Sequence, residues 1–238
     1  MDRVAGLALW RQIADQIKGD ISKDILRPGC KLPTEILLAQ QFKVNRHTIR
    51  RSIAELVEEG LLKVEQGRGT FVVDHLVDYQ LGRRTRFTET VLKQNKNPIA
   101  KTLSITTISA DRDIAGSLKI DEKADVFCLE TIREIDNRPL AIGSHYFSKQ
   151  RFPDLIEVFK AEGSISNMLS KFGCGDYERQ TTKITARPPT KREASILLQA
   201  RNRPILVTES INIDKDKQPI EYGVARFSAD RVQLVVET

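Results

Sequence analysis

The sequence predicts an α+β protein in which a helical N-terminal part precedes a larger part rich in strands. Apolar residues recur at helical spacing in roughly the first sixty residues, whereas Ile, Val, Thr and aromatic residues dominate seven later segments of strand length. Turn-forming Asp, Asn and Pro residues separate several of these segments, which favours a mainly antiparallel sheet. At 238 residues, the chain is long enough for two domains.

The composition is that of an ordinary soluble protein, with 40% hydrophobic and 29% charged residues. No apolar run approaches the roughly 20 residues of a membrane span, and the early charges argue against a secretory signal. We therefore expect a cytoplasmic protein with no membrane partner. Cys30, Cys128 and Cys174 are odd in number and widely spaced, so we expect neither a disulfide framework nor a metal site.

Two helices are predicted at the start of the N-terminal part. The first has five apolar residues at helical spacing and ends before Pro28-Gly29. These residues are Trp10, Ile13, Ala14, Ile17 and Ile21. The second helix begins where Thr34 can cap its first turn and Glu35 matches the positive helix end, and it continues to Phe42.

A third helix is predicted after only two further residues, with Asn45 as its cap. At about 100° per residue, Ile49, Ile53 and Leu56 share a narrow arc. The polar and basic residues that fan out on another side are Arg46, His47, Arg50 and Arg51. Two helices joined this tightly form a helix-turn-helix, whose second helix can present its first turns to the phosphates and bases of DNA.

A short hairpin is predicted next to this helix. Gly60 ends the helix, and residues 61–65 and 70–73 have the composition of strands. Gln66-Gly67-Arg68-Gly69 has the composition of the turn between them. A basic hairpin beside a recognition helix is typical of a wing.

The positive charge of the N-terminal part is local. Residues 1–74 contain 12 Lys and Arg against 10 Asp and Glu, but between Glu35 and Glu55 there are four cations and no acid. Four clustered cations alone are often a solvated face, and the helix pair and the wing favour a DNA contact instead. A nonspecific architectural DNA binder would need a broadly basic surface, which this small excess does not provide.

The run from Arg27 to Val72 resembles the winged-helix domain of GntR-type bacterial transcription regulators. This resemblance implies that positions 46, 47, 48 and 50 face DNA and that the wing glycine approaches the minor groove. Ile36 departs from the pattern, because many members have Arg there. The DNA-binding residues predicted in this way are Thr34, Asn45, Arg46, His47, Thr48, Arg50, Arg51, Gly67 and Arg68.

The larger part is predicted to alternate strands with short helices. The strand segments are 99–109, 126–135, 140–147, 182–186, 205–213, 220–227 and 232–236. Amphipathic segments that predict helices are 88–96, 114–118, 153–159, 165–172 and 190–199. Residues 75–87 lack a clear period and are interpreted as a linker between domains 1–74 and 88–238.

From about Tyr79 onward the chain resembles the UTRA effector domain of the HutC branch of GntR regulators, a fold similar to chorismate lyase. The markers are Arg86-Phe87-Thr88, Arg133 before Asp136-Asn137-Arg138-Pro139, Gly163-Ser164 and Pro219-Ile220-Glu221-Tyr222. Residues 44–48, 145–147 and 221–231 are most similar to the phosphonate-metabolism regulators of that branch. The resemblance implies an effector pocket made by Phe87, Thr88, Arg133, Ser164, Glu221 and Phe227.

These pocket residues suit a small anion, since Arg133 offers a bidentate guanidinium and Thr88 and Ser164 offer hydroxyls. Sugar-phosphate sensors of the branch usually have Arg-x-Arg where this chain has Thr131-Ile132-Arg133, so we expect a smaller or differently placed anion. Alternatively, Arg133 pairs across the sheet with an acid, the candidates being Glu130, Glu134 and Glu221. We interpret His145 as a packed, hydrogen-bonded histidine rather than a catalyst.

We therefore expect a ligand-responsive repressor that binds double-stranded operator DNA with an inverted repeat as a homodimer. Its effector would be a phosphonate or phosphate-bearing metabolite, and no cofactor is expected. One alternative is a chorismate-lyase-like enzyme using His145, Glu221 and Arg133, but the sequence contains no nucleophile elbow, metal-ligand cluster or Gly-rich phosphate loop. Another is a HutC-type regulator that senses a sugar phosphate or a carboxylate. No residue is assigned a catalytic or metal-binding role.

Overall fold

The computed structural model describes residues 8–23, 25–73, 76–84, 98–135 and 138–236. The chain divides into two compact units, Met1–His75 and Leu76–Thr238. Among these described residues, no helix is both long enough and apolar enough to cross a membrane.

The first unit contains three helices and a hairpin, as the sequence predicts. The helices are α1 (Leu9–Ser22), α2 (Glu35–Phe42) and α3 (Arg46–Glu58), and strands β1 (Leu62–Glu65) and β2 (Gly69–Val72) pair antiparallel. Both predicted caps are confirmed. The Thr34 hydroxyl accepts a hydrogen bond from the Leu37 amide at 3.4 Å, and Asn45 Oδ1 accepts one from the Thr48 amide at 2.9 Å.

One apolar core joins these elements and fixes the direction in which α3 faces. Ile13 and Ile17 of α1, Leu38 of α2, and Ile49 and Leu56 of α3 are all buried in it. Because these side chains take up one side of α3, the opposite side, with its arginines, is left to solvent.

A six-stranded sheet dominates the second unit, and every pairing in it is antiparallel. Its strands are β4 (Pro98–Ser109), β5 (Asp125–Ile135), β6 (Arg138–Ser148), β7 (Glu178–Arg187), β8 (Ile205–Ile213) and β9 (Pro219–Ser228). Their spatial order is β4-β5-β6-β9-β8-β7, so β4 and β7 are the two edges of the sheet that the described residues form. The predicted α+β class and antiparallel sheet are confirmed.

Four short helices pack on the two faces of this sheet: α4 (Arg112–Leu118), α5 (Leu155–Glu162), α6 (Ile165–Lys171) and α7 (Lys191–Ile196). Val126 packs in the core on the α4 side, whereas the next residue, Phe127, packs in the core under α5 and α6. This alternation defines the two faces. The helix predicted at 88–96 lies outside the described residues.

The segment interpreted as a linker, 75–87, contains a strand that belongs to the second unit. Strand β3 (Val77–Leu81) pairs in parallel with β10 (Val232–Val236). Val77 and Tyr79 are buried while the residue between them is half-buried, the alternation of a strand with one face against a core. The sequence did not predict β3, because five residues are too few for the alternation of a strand to be recognised.

Candidate functional site

The exposed face of α3 carries the residues predicted to contact DNA. Arg46, His47, Arg50 and Arg51 are exposed, and Thr48 is half-buried. Glu35 at the start of α2 faces two of these arginines, with its Oε2 at 3.5 Å from Arg46 Nη2 and 2.8 Å from Arg50 Nε. Both ion pairs are solvent-exposed and contribute little stability, so DNA, with its many phosphates, can replace Glu35 as the partner of these arginines.

Arg51 has a packing role that the sequence did not reveal. Its guanidinium carbon lies 4.5 Å from the centroid of the Trp10 ring, a cation–π arrangement that joins α3 to α1. The neighbouring Ser52 hydroxyl donates to the Trp10 carbonyl at 2.7 Å. This side chain, which is predicted to bind DNA, is therefore also part of the contact between two helices.

The hairpin turn is shaped by glycine and anchored by a buried acid. Gly67 has φ +74°, and a Cβ there would meet no atom within 4 Å, so the backbone angle and not crowding favours glycine. Arg68 donates to the buried Glu65 carboxylate, and its guanidinium lies 5.4 Å from the Phe71 ring centroid. These two contacts hold the Arg68 side chain against the hairpin, next to Gly67.

In the second unit, a cavity of about 480 Å³ opens beside the sheet face that α5 and α6 cover. We call it the sheet cavity; its wall includes Tyr79, Lys101, Thr131, Arg133, His145, Ser164, Arg179, Asn212 and Glu221. Three residues predicted for the pocket, Arg133, Ser164 and Glu221, are thereby brought together from segments far apart in sequence. Phe87 and Thr88, also predicted for it, lie outside the described residues.

Phe227 was predicted to close the pocket, and that placement is wrong. Its side chain is fully buried and is not part of the cavity wall. It packs behind the cavity-wall residue Tyr79, with 5.1 Å between the ring centroids. The reason is strand geometry. Phe227 lies six residues beyond Glu221 on β9, where the same sheet face meets the core around β3 and β10.

Hydrogen bonds connect five residues of the cavity wall into one network, which we call the polar chain. His145 Nδ1 and Glu221 Oε1 are 2.5 Å apart, and Asn212 Nδ2 donates to Glu221 Oε2 at 2.7 Å. Arg179 Nε donates to Asn212 Oδ1, and Arg179 Nη1 donates to the Tyr79 hydroxyl, both at 3.4 Å.

The polar chain keeps a buried carboxylate ionised. Burial of Glu221 would by itself raise its pKa. The hydrogen bond and charge of His145, the Asn212 amide and the charge of Arg179 outweigh that effect, so the pKa lies below its ordinary value. The pKa of Arg179 is raised despite burial, because Tyr79 and Glu221 favour its charged form. Arg179 is therefore a permanent cation in the sheet cavity.

The acids named as alternative partners of Arg133 each have another partner. Arg192 donates to Glu130 at 2.8 Å, Lys101 donates to Glu134 at 2.5 Å, and His145 and Asn212 hold Glu221. The interpretation of His145 as a buried, hydrogen-bonded histidine is confirmed, and it also belongs to the cavity wall.

Arg179 is the main cavity residue that sequence reasoning missed. It lies on the edge strand β7, three residues before the strand segment predicted at 182–186. Its position depends on the register that sets Arg179 opposite Asn212 on β8. An isolated arginine in an exposed, charged strand gives no local signal for such a role.

Comparison with known proteins adds independent information. The family model described as "Bacterial regulatory proteins, gntR family" matches residues 9–72, and that described as "UTRA domain" matches residues 93–233. The chain is 36% identical to an uncharacterized HTH-type transcriptional regulator of Rhizobium meliloti, over 100% of this chain and 98% of that protein. It is 31% identical to the probable transcriptional regulator PhnF of Escherichia coli, over 96% of this chain and 94% of that protein. The crystal structure of PhnF from Mycobacterium smegmatis covers 97% of this chain and 99% of its own, with 25% identity and a TM-score of 0.65.

Proposed function

Because this chain belongs to the GntR family of bacterial transcriptional regulators and carries a UTRA domain, we propose that it is a repressor controlled by a small anion. The observation that carries the proposal is the pair of guanidinium groups, Arg133 and Arg179, in the wall of one cavity. Two fixed cations beside hydroxyls suit a phosphonate, phosphate or carboxylate group.

Arg179 can supply the second cation, which the Arg-x-Arg pattern would place at position 131, where this chain has Thr. The second guanidinium comes from β7, at the edge of the sheet remote from β5. In the Arg-x-Arg pattern it would come from β5 itself, two residues before Arg133. A different placement of the two cations favours a different anion from the usual sugar phosphate. We propose a small phosphonate or phosphate-bearing metabolite, and the similarity to PhnF supports that choice.

The proposed DNA contacts are those of α3 and the hairpin. Arg46, His47, Thr48 and Arg50 would reach base edges or phosphates in the major groove, and Gly67 and Arg68 would approach the minor groove. One such unit covers little DNA, so we propose a homodimer on an inverted repeat, acting in the cytoplasm where its operator is.

Calorimetry of the full-length protein tests the effector. Methylphosphonate, inorganic phosphate, glucose 6-phosphate and acetate distinguish the anion classes. Arg133→Ala and Arg179→Ala should each lower the affinity for the anion that binds. Arg192→Ala is the matched control, because this arginine pairs with Glu130 and is not part of the cavity wall. Unchanged affinity in both cavity variants would refute the proposed site.

One observation favours an enzyme as the second candidate. Thr131 Oγ1 lies 3.5 Å from His145 Nε2, and His145 Nδ1 lies 2.5 Å from Glu221, the order hydroxyl, imidazole and carboxylate of a hydrolytic triad. Turnover of p-nitrophenyl acetate that Thr131→Val abolishes would support this candidate. We expect no turnover above that of the Thr131→Val protein.

A further inference from the structure

The imidazole of His145 is held in one orientation at the wall of the sheet cavity. His145 is 7% exposed, and its Nδ1 makes the short contact with Glu221. Glu221 is 4% exposed, and each of its carboxylate oxygens already has a partner, His145 on one side and Asn212 on the other. The carboxylate is therefore satisfied from within the protein, whereas the other end of the imidazole is directed away from it.

The space beside His145 Nε2 is kept open by a glycine. Gly143 lies two residues before His145 on β6, so both face the same side of the sheet. A Cβ on Gly143 would lie 2.6 Å from His145 Nε2 and 2.9 Å from Thr131 Oγ1. Any larger residue would block this nitrogen. The Thr131 hydroxyl itself, at 3.5 Å, is at the limit of hydrogen-bond distance.

The hydrogen-bonding role of Nε2 follows from that of Nδ1. An ionised carboxylate only accepts hydrogen bonds, so the hydrogen between His145 and Glu221 is on Nδ1. The low pKa of Glu221 agrees with this assignment. Nε2 is then the ring nitrogen that remains for the effector, and a hydroxyl group can pair with it whether the ring is neutral or charged, because a hydroxyl both donates and accepts hydrogen bonds.

We infer that His145, and not Glu221, contacts the effector, and that its Nε2 forms a hydrogen bond with a hydroxyl group on the anionic molecule. This inference rests on the proposed function, because it assumes that the sheet cavity binds an anion. Glu221 is then a positioning residue that fixes the ring and its tautomer. With Arg133 and Arg179 binding the anionic group, the effector class is a small phosphonate or phosphate monoester that also carries a hydroxyl group.

Calorimetry with a matched pair of probes tests the contact. Ethylphosphonate and 2-hydroxyethylphosphonate share one anionic group, and only the second carries the hydroxyl. The full-length protein should bind the hydroxylated probe about tenfold more tightly, and His145→Leu should bind the two probes with equal affinity. Arg133→Ala is the comparison variant and should weaken both probes by a similar factor.

The outcomes separate this inference from the proposed function. Equal binding of the two probes to the unmodified protein, or a preference that survives in His145→Leu, overturns the role of His145 and leaves the anion effector standing. Binding of neither probe overturns the inference together with the proposed phosphonate effector.

A second measurement begins with the unmodified protein. The chain contains three histidines, and ¹⁵N NMR of the full-length protein reports the protonation of each ring nitrogen. We expect the His145 ring to carry a hydrogen fixed on Nδ1, and this fixed placement should be lost in Glu221→Gln. A His145 ring protonated on Nε2 and bare on Nδ1 overturns the inference.

Discussion

At the scale of single residues, Arg46 and Arg50 combine exposure with proximity to one acid. Their guanidinium groups both reach Glu35, and nothing buries them against the core. A cation that is held only by an exposed ion pair is available to DNA at small cost, because such a pair contributes about 0–1 kcal/mol. The same acid also holds the two side chains close to each other on the exposed face of α3.

We expect Arg46→Ala to weaken operator binding by about 1–3 kcal/mol and to relax base preference at one position of each half-site. Arg50→Ala should weaken binding by a similar amount. Fluorescence anisotropy with operator and scrambled duplexes measures both effects. Arg11→Ala on α1 is the control and should bind normally. Full operator affinity in both α3 variants would exclude them as recognition residues.

Another residue-scale feature concerns stability and pH. The carboxylate of Glu193 is 7% exposed, and both its oxygens accept hydrogen bonds from Arg187, at 2.7 Å each. It also completes the capping box of α7 by accepting from the Thr190 amide at 2.8 Å. The Arg187 hydrogen bonds are the main cause that lowers the pKa of Glu193 from an ordinary 4.5 to about 2.

A lowered pKa in the folded state stabilises the protein above the unfolded pKa and ceases to do so as the pH falls. We therefore expect Glu193→Gln to cost about 1–3 kcal/mol of unfolding free energy at pH 7. The difference from the unmodified protein should shrink as the pH drops from about 5 towards 2. Urea unfolding at a series of pH values measures it, with Glu122→Gln in an exposed turn as control. A difference that is independent of pH would contradict this account.

At the scale of elements, the two edge strands of the sheet differ in their protection against pairing. β7 carries four charged residues along its ten positions, whereas β4 carries one, Lys101, along twelve. Ile99 and Leu103 of β4 are 43% and 40% exposed. Long edge strands with few charges readily pair with another chain. We therefore expect β4 to contribute to the proposed dimer.

The corresponding test compares one substitution on each edge. Leu103→Lys should raise the dimer dissociation constant by at least tenfold, since it places a charge on the less protected edge. Ile184→Lys on β7 is the matched control, because Ile184 is 47% exposed on the other edge strand. Sedimentation velocity over a concentration series separates the two. Equal dissociation of both variants would argue against the β4 edge.

The elements also show what a sequence can and cannot predict. Caps, helix faces and strand segments are local signals, and Thr34, Asn45 and the antiparallel strands were predicted because each depends on neighbours a few residues away. The cavity depends on register. Arg179 and Tyr79 join it only because β7 pairs with β8 and β3 lies beside β10. Phe227 was misplaced for a related reason, since the assembly of the strands decides that this end of β9 meets the core around β3 and β10 and not the cavity.

For the molecule as a whole, the residues proposed to contact DNA and the sheet cavity belong to different units. A response to the effector therefore requires a coupling free energy between them, and a tenfold change in operator affinity corresponds to about 1.4 kcal/mol. Such coupling is reciprocal. If the effector weakens operator binding tenfold, the operator must weaken effector binding tenfold.

We expect the effector to lower operator affinity in the unmodified protein and to have no effect in Arg133→Ala, whose affinity for DNA without effector should be nearly unchanged. Anisotropy titrations with and without effector measure the change in operator affinity. Calorimetry with and without operator measures the reciprocal change in effector affinity. If these two changes in affinity differ in magnitude, the effector and the operator are not coupled by one equilibrium.

Trp10 is the only tryptophan of the chain, and it lies half-buried in the first unit beneath the Arg51 guanidinium. Its fluorescence therefore originates entirely from the DNA-binding unit, and the full-length protein carries a built-in, site-specific optical probe. A phosphate that attracts Arg51 away from the indole would change the emission, so the operator should be detectable without a dye. Loss of that change in Arg51→Ala, with the operator still bound, would attribute the signal to this one contact.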